Sequence, residues 1–194
     1  ASCSPVTDGK TVYFLHGSGA MFAYDFAGKE IWTKQLAAEG DTISLQFGFA
    51  SSPLLHKGRL YIPVLRGQWE KGDQASFTDE DSFLLCLDAA TGEQVWKQHR
   101  PTDARGESLD SYASAVPFTS GGVEALLVQG GDYLSAHRLS DGTELWRHAH
   151  NDSKHMNWRL IPSPVVAGHL AVGIEPRGGD VFAVLPGEKT ELAY

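Results

Sequence analysis

Three histidines in one short segment have the residue types and spacing of a metal site. His148 and His150 are two residues apart, which places both rings on one face of a strand, and His155 follows five residues later. Imidazole nitrogens are good ligands for zinc and copper, so these three are candidate metal ligands. The alternative is that they only hydrogen-bond within a connection.

Two polar segments carry mixed charge, and a third is distinguished by its aromatic residues. Arginine and carboxylate side chains are mixed in 100–112 and 149–160, a pattern typical either of salt-bridged connections or of a polar pocket. The segment 66–82 places Trp69 and Phe77 in a polar context, where they either anchor the segment or offer a flat surface to a sugar or a peptide. Candidate ligand-binding residues from the three segments are Arg66, Trp69, Arg100, Asp103, Arg105, Glu107, Asp110, Tyr112, Asn157, Trp158 and Arg159.

Two further features have chemical potential. Asp79, Glu80 and Asp81 offer oxygens to calcium but lack the spacing of a calcium loop, so a solvated acidic turn is the alternative. Cys3 and Cys86 each lie in an apolar context, either as buried thiols or as partners in a disulfide.

Composition limits the classes of function. The chain has 194 residues, 42% hydrophobic and 21% charged, which is typical of a globular protein. Its net charge of −8 argues against a nucleic-acid partner, since phosphate binding needs clustered Lys and Arg. No apolar run is long enough to span a membrane. The sequence begins at Ala1 without a methionine, and we expect it to be a piece of a longer protein.

A repeat organises these segments. Three hairpin-like units share a glycine four residues before a tryptophan: Gly28 and Trp32, Gly92 and Trp96, Gly142 and Trp146. A short apolar strand with a proline precedes each unit, and a fourth such strand lies near Pro164. The two markers recur with a shared period of about fifty residues, which is an internal repeat.

The repeat predicts an all-β fold, a β-propeller of four-stranded antiparallel blades. We expect a single unit, 1–194, with approximate blades at 1–36, 48–99, 113–148 and 160–194. A parallel β-helix is the main alternative, but its coils are shorter. Each repeated tryptophan is expected to wedge between neighbouring blades. Pro63 lies inside a predicted strand, so we expect a bulge or an early end to pairing there.

The blade pattern also predicts two unlike faces. Tight turns within each blade lie on one face, and the long segments 36–48, 66–82, 100–112 and 149–160 lie on the other, which we call the loop-rich face.

The unit Leu87-Asp88-Ala89-Ala90-Thr91-Gly92-Glu93-Gln94-Val95-Trp96, with weaker copies at 24–32 and 137–146, resembles the pyrroloquinoline-quinone (PQQ)-type propeller repeat of bacterial proteins. Because propellers of this family have seven or eight blades, the resemblance implies that four blades are half of a ring. Either two copies close it as a dimer or a second half of the propeller is missing from the sequence.

The same repeat occurs in quinoprotein dehydrogenases and in a non-enzymatic component of outer-membrane assembly. The enzymes carry adjacent cysteines over the cofactor and a calcium site, and this chain has no adjacent cysteines and no residue that can be matched to those positions. We therefore assign no cofactor, although PQQ and calcium would accompany an enzyme of this type.

These observations favour a non-catalytic function. We expect a periplasmic or extracellular scaffold or binding module that recognises a protein or a glycan through its loop-rich face. The alternatives are part of a PQQ-dependent, quinoprotein-type dehydrogenase and a metal-dependent enzyme that uses the three histidines.

Overall fold

The computed structural model describes residues 3–36, 43, 45, 47–67 and 82–186, and the backbone of 191–192. These residues form four antiparallel sheets, each of four strands in sequence order, so the predicted propeller blades are confirmed. Blades 1 and 2 contain β1 (Val6–Thr7), β2 (Thr11–Leu15), β3 (Ala20–Asp25), β4 (Glu30–Gln35), β5 (Leu54–His56), β6 (Arg59–Val64), β7 (Phe83–Asp88) and β8 (Gln94–His99). Blades 3 and 4 contain β9 (Val116–Ser120), β10 (Val123–Gly130), β11 (Tyr133–Arg138), β12 (Glu144–Ala149), β13 (Val165–Ala167), β14 (Leu170–Ile174), β15 (Val181–Leu185) and β16 (Glu191–Leu192). Two short 3₁₀ turns, Gly106–Leu109 and Pro176–Gly178, lie in the connections.

The repeat extends to local irregularities. In blades 1, 2 and 3 the register between the third and fourth strands shifts by one residue just before the turn, at Ala23/Tyr24, Cys86/Leu87 and Ala136/His137. An extra residue on one strand increases the local twist. The same shift in three blades shows that the sequence repeat is a repeat of backbone geometry.

Three apolar cores lie between successive blades. The strand β7 shows why, since Phe83, Leu85 and Leu87 pack toward blade 1 while Leu84 and Cys86 pack toward blade 3. A sheet covered on both faces needs an unbroken apolar run, whereas a sheet covered on one face alternates. The continuous run in this strand therefore reflects its position in an inner blade.

Two of the three predicted tryptophan wedges, Trp32 and Trp96, bond to the next blade, whereas the Trp146 indole N–H donates to Ser120 Oγ within its own blade at 2.9 Å. The Trp32 indole N–H donates to the Ala89 carbonyl at 3.0 Å, and its ring covers the turn glycine Gly92. Trp96 repeats the contact with Leu139, also at 3.0 Å, and covers Gly142. Blade order is thus fixed by a polar and an apolar contact made by the same side chain.

A serine relay links the first strands of all four blades. The Ser4 N–H donates to Ser52 Oγ at 2.9 Å, the Ser52 N–H to Ser114 Oγ at 2.8 Å, and the Ser114 N–H to Ser163 Oγ at 2.9 Å. The four serines occupy equivalent places, each two residues before the first strand of its blade. The relay satisfies backbone donors that the sheet ladders leave unpaired.

Two sequence-based expectations are resolved by the fold. Of the two outcomes expected at Pro63, the bulge is absent, because β6 pairs with β7 without a register shift through Pro63↔Leu84 to Val64↔Phe83, and the early end to pairing is present on the β5 side. Pairing with β5 ends at Leu54↔Tyr61, so Pro63 lies beyond the reach of that neighbour. Cys3 and Cys86 are free thiols in different apolar cores, on opposite sides of blade 2. A disulfide between Cys3 and Cys86 is therefore excluded.

Candidate functional site

The two connections 100–112 and 149–160 form one block on the loop-rich face. Ser111 and Leu160 make a parallel β-bridge, the Tyr112 N–H donates to the Leu160 carbonyl at 2.8 Å, and the Leu160 N–H donates to the Asp110 carbonyl at 3.1 Å. Residues far apart in sequence are thus held by backbone bonds, so this part of the face is preformed.

The 3₁₀ turn at Gly106–Leu109 fixes the outer part of the block. Ser108 Oγ donates to the His155 carbonyl at 2.5 Å and accepts the Trp158 N–H at 2.9 Å. Gly106 has φ 57°, and a Cβ there would lie 2.6 Å from the Met156 carbonyl oxygen. Only glycine allows the connections to approach this closely.

Glu107 is the centre of the charges on this face. It pairs with Arg159 and lies 3.5 Å from Arg177, whose Nε also donates to the Asn157 carbonyl at 2.7 Å. The Arg159 guanidinium lies 4.7 Å from the centre of the Phe47 ring. These contacts agree with the interpretation of the segments as salt-bridged connections, because Arg159 and Arg177 both contact the carboxylate of Glu107.

Arg100 is enclosed by the protein. Its side chain is 1% exposed and donates to the carbonyls of Gly130 and Tyr133 and to Ser135 Oγ at 2.9–3.1 Å. Burial lowers the pKa of Arg100 to about 10, which leaves it charged at neutral pH. Through these hydrogen bonds the guanidinium holds the end of β10 and the start of β11 together.

Other candidate residues divide by exposure. Asp110 is fully buried and accepts the Gly67 N–H at 2.9 Å, and Arg66 is 8% exposed. Arg66, Arg100 and Asp110 are buried, so we do not include them in the candidate binding surface. Asp103 is exposed but accepts from Tyr133 OH and Lys154 Nζ, both at 2.8 Å. Trp69 and the other residues of 68–81, including the acidic triplet, lie outside the described residues.

Among the described residues, the exposed candidates that remain are Arg105 and Asn157, with Tyr112, Trp158 and Arg159 half-buried. Tyr112 OH accepts the Phe47 N–H at 3.3 Å. Beside them three large apolar side chains are exposed on the same face: Phe47 at 55%, Met156 at 43% and Ile161 at 67%.

The three histidines belong to two different aromatic contacts. His148 and His150 pack against Phe182, with ring centres 5.5 and 5.7 Å apart, whereas His155 stacks on Trp158 at 4.5 Å. Within the described part of the chain, no group of three or more His, Cys, Asp or Glu side chains is placed to hold a metal ion. The metal assignment therefore gains no geometric support.

Among the described residues, two cavities beside blade 4 open on this face, and Glu175 lines both. The first, which we call the histidine cavity, has a volume of about 380 Å³ and is lined by His148, Ala149, His150, Asn151, Asp152, Ser153, Trp158, Glu175 and Phe182. The second, of about 320 Å³, is lined by Arg159, Ile161, Pro162, Ile174, Glu175, Pro176, Arg177 and Gly178. The first combines aromatic rings with carboxylates, and the second combines arginines with apolar side chains.

Sequence reasoning missed Glu175, Arg177 and Phe182. The polar run 175–180 lies between the apolar strands β14 and β15 and contains Pro176, two glycines and Asp180. This is turn chemistry on the loop-rich side of blade 4, and it was the available signal.

The described residues do not fit the cofactor set of a quinoprotein. The chain has no adjacent cysteines, and its two thiols lie on opposite sides of blade 2. The donor groups described do not assemble a cation site of three or more acidic, histidine or cysteine side chains. We therefore derive no reaction step through PQQ or calcium.

Comparisons with known proteins agree with this architecture. The structure is similar to BamB from Moraxella catarrhalis, with a TM-score of 0.60 and 16% identity over 95% of this chain and 49% of that chain. It is also similar to a europium-containing methanol dehydrogenase, with a TM-score of 0.66 and 12% identity over 98% of this chain and 41% of that one. A quinohemoprotein alcohol dehydrogenase from Comamonas testosteroni is also similar, with a TM-score of 0.59 and 18% identity over 98% of this chain and 34% of that chain. The chain thus spans half or less of the length of these structures.

A search of curated proteins gives no match. No helix among the described residues is long and apolar enough to cross a membrane. A family model described as outer membrane protein assembly factor BamB matches residues 68–188, which is more than half of the chain. The chain therefore belongs to this family of PQQ-like propeller repeat proteins.

Proposed function

We propose that this chain is an extracytoplasmic binding module that recognises another protein through the loop-rich face of blades 2, 3 and 4. The observation that carries the proposal is the combination of a preformed backbone with exposed apolar side chains. Phe47, Met156 and Ile161 are exposed on a face whose connections are locked by the Ser111↔Leu160 bridge and by Glu107.

A rigid face with apolar and arginine side chains is suited to a protein partner. Interfaces are enriched in aromatic residues, Met and Arg, and binding costs least when the surface is already ordered. Arg159 and Arg177 remain at the rim of the 320 Å³ cavity while Glu107 holds them in place. Ile161 and Pro162 supply its apolar wall.

Family membership supports both the partner class and the location. The description of the family model refers to the assembly of outer membrane proteins, and a protein partner outside the cytoplasm fits that description best. A glycan ligand, the other expectation from the sequence, is an outcome that the test distinguishes. A dehydrogenase role has fold similarity only, and the side chains described do not add to it.

The proposal is tested by quantitative co-purification from the native host. The double variant Met156→Asp, Ile161→Asp places two charges on the loop-rich face, and Val123→Asp places one near the tight turn between β9 and β10, where Val123 is 37% exposed. We expect the double variant to lose a specific protein partner that the wild type and Val123→Asp retain. Equal recovery from all three, or loss of a bound glycan instead of a protein, would overturn the proposal.

A further inference from the structure

The histidine cavity has an aromatic wall. His148 and His150 pack on Phe182, and the Trp158 indole completes the lining. At about 380 Å³ the cavity falls within the range of ligand pockets, roughly 300–1,000 Å³. Aromatic faces carry negative electrostatic potential and attract cations.

The charged groups of this lining are acidic. Asp152 and Glu175 make no ion pair among the residues that the structure describes. Burial lowers the pKa of His150 to about 4 and also lowers that of His148, so both rings are neutral at neutral pH. The lining therefore has two negative charges and no positive charge.

The nearby cations already have partners. Arg100, whose charge acts on His150, donates to Gly130, Tyr133 and Ser135. Lys154 Nζ lies 2.8 Å from Asp103 and 3.8 Å from Asp132, and Arg159 and Arg177 both face Glu107. None of these cationic side chains lines the histidine cavity. Glu175 lines both this cavity and the neighbouring one, which Arg159 and Arg177 also line. The carboxylates of Asp152 and Glu175 therefore remain available to a positively charged ligand.

His150 gives an independent indication of a binding site. Its side chain is 7% exposed and lines the cavity, yet neither ring nitrogen has a hydrogen-bond partner in the described part of the protein. Buried polar groups are almost always paired, and the exceptions concentrate where function requires them. A polar ring left unpaired beside a cavity is typical of a site that is completed by a ligand.

The kind of cation follows from the donors. The described side chains do not form a cluster of three or more metal-ligating groups here, whereas four aromatic rings and two carboxylates suit a larger, softer cation. We propose that the histidine cavity binds an organic cation, the guanidinium or ammonium group of an arginine or lysine side chain on the protein partner. This inference rests on the proposed function and names the chemistry of one partner residue.

The test uses small probes without the partner. N-acetylarginine amide and its neutral isostere N-acetylcitrulline amide are titrated while the Trp158 indole and His148 ring resonances are followed by NMR, assigned with Trp158→Phe and His148→Gln. We expect the arginine probe to shift these resonances saturably and to bind at least about fivefold more tightly than citrulline. Added salt should weaken this binding.

Three conservative variants complete the design. Asp152→Asn and Glu175→Gln should each weaken the arginine probe by about two- to fivefold. Glu93→Gln, an exposed carboxylate in a tight turn of blade 2, is the matched control and should leave affinity unchanged. Equal binding of the two probes, or wild-type affinity in both cavity variants, would overturn the inference. Partner co-purification would stand in that case, so failure here is distinguishable from failure of the proposed function.

Discussion

The indole of Trp32 and the turn glycine Gly92 form the contact that joins blade 1 to blade 2. A Cβ at Gly92 would lie 2.7 Å from the Trp32 ring, and a Cβ at Gly142 would lie at the same distance from the ring of Trp96. The glycine thus has two functions, since it supplies positive φ for the turn and leaves room for a flat ring from the preceding blade. The Gly-to-Trp repeat couples a turn in one blade to a docking site for its neighbour.

Replacing these glycines by alanine separates the two functions. Gly28, Gly92 and Gly142 have similar φ values of 82°, 71° and 76°, but a Cβ at Gly28 meets no atom within 4 Å among the described residues. Gly28→Ala should therefore cost only backbone strain, about 1–2 kcal/mol. Gly92→Ala and Gly142→Ala should cost about 1–3 kcal/mol more, because the ring must move. Urea unfolding measures the difference, and equal losses at the three positions would contradict this explanation.

The serine relay predicts a graded set of alanine variants. Ser52→Ala and Ser114→Ala each remove the acceptor of a backbone N–H and should destabilise the protein by about 1 kcal/mol. Ser4 accepts no relay bond from a described residue and keeps its own N–H donor in Ser4→Ala. That variant should change the free energy of unfolding by less than about 0.5 kcal/mol. Thermal or urea denaturation distinguishes the cases, and a destabilised Ser4→Ala would argue against the relay.

We predict that a lysine cannot replace the buried guanidinium of Arg100, although it would keep the positive charge. Its guanidinium makes four hydrogen bonds to neutral acceptors in the turn between β10 and β11. Arg100→Lys keeps the charge but loses the planar fork, and should cost about 2–3 kcal/mol. The control is Arg105→Lys, since the Arg105 side chain is exposed and has no hydrogen-bond or ion-pair partner among the described residues. The free energy of unfolding should be unchanged in the control and reduced in Arg100→Lys.

Two buried histidines predict acid sensitivity. Burial lowers the pKa of His137 to about 3 and that of His150 to about 4, from an ordinary value of 6.5. Below pH 6.5 these histidines are protonated in the unfolded chain but stay neutral in the folded chain. The free energy of unfolding therefore decreases as the pH is lowered from 6.5 to the folded pKa values. The loss should reach about 1–2 kcal/mol per histidine at about pH 5. Burial raises the pKa of Asp132, which opposes this trend.

The acid prediction is checked by urea unfolding between about pH 7 and pH 5, together with NMR titration of the histidine C2 protons. Rings of His137 and His150 that stay neutral at pH 5 would agree with it. A ring that gains its proton near pH 6.5 would contradict the assignment of the loss to that residue.

The fold was predictable because its signals are local and repeated. Glycine and tryptophan recur four residues apart in three repeats, and those three repeats report the same strands and turns. At Pro63 the sequence left a bulge and an early end to pairing as alternatives, because the start of β5 at Leu54, which ends that pairing, is not marked in the sequence. The serine relay was present in the sequence as Ser4, Ser52, Ser114 and Ser163, but its meaning needs the blades side by side.

The site was less predictable because it depends on contacts between distant segments. Arg100 and Arg105 look equivalent in sequence, yet one is enclosed by the turn after β10 and the other is exposed. His148, His150 and His155 look like one cluster, but Phe182 and Trp158 divide them. Only the packing of blade 4 against blade 3 decides which side chains share a cavity.

The most direct test of binding through the loop-rich face is site-specific photo-cross-linking in the native host. A benzophenone amino acid is placed at Ile161 on the loop-rich face and, as a control, at Val123 beside the tight turn between β9 and β10. We predict a discrete protein adduct from position 161 and none from position 123. Adducts of equal yield at both positions, or none at position 161, would contradict the account.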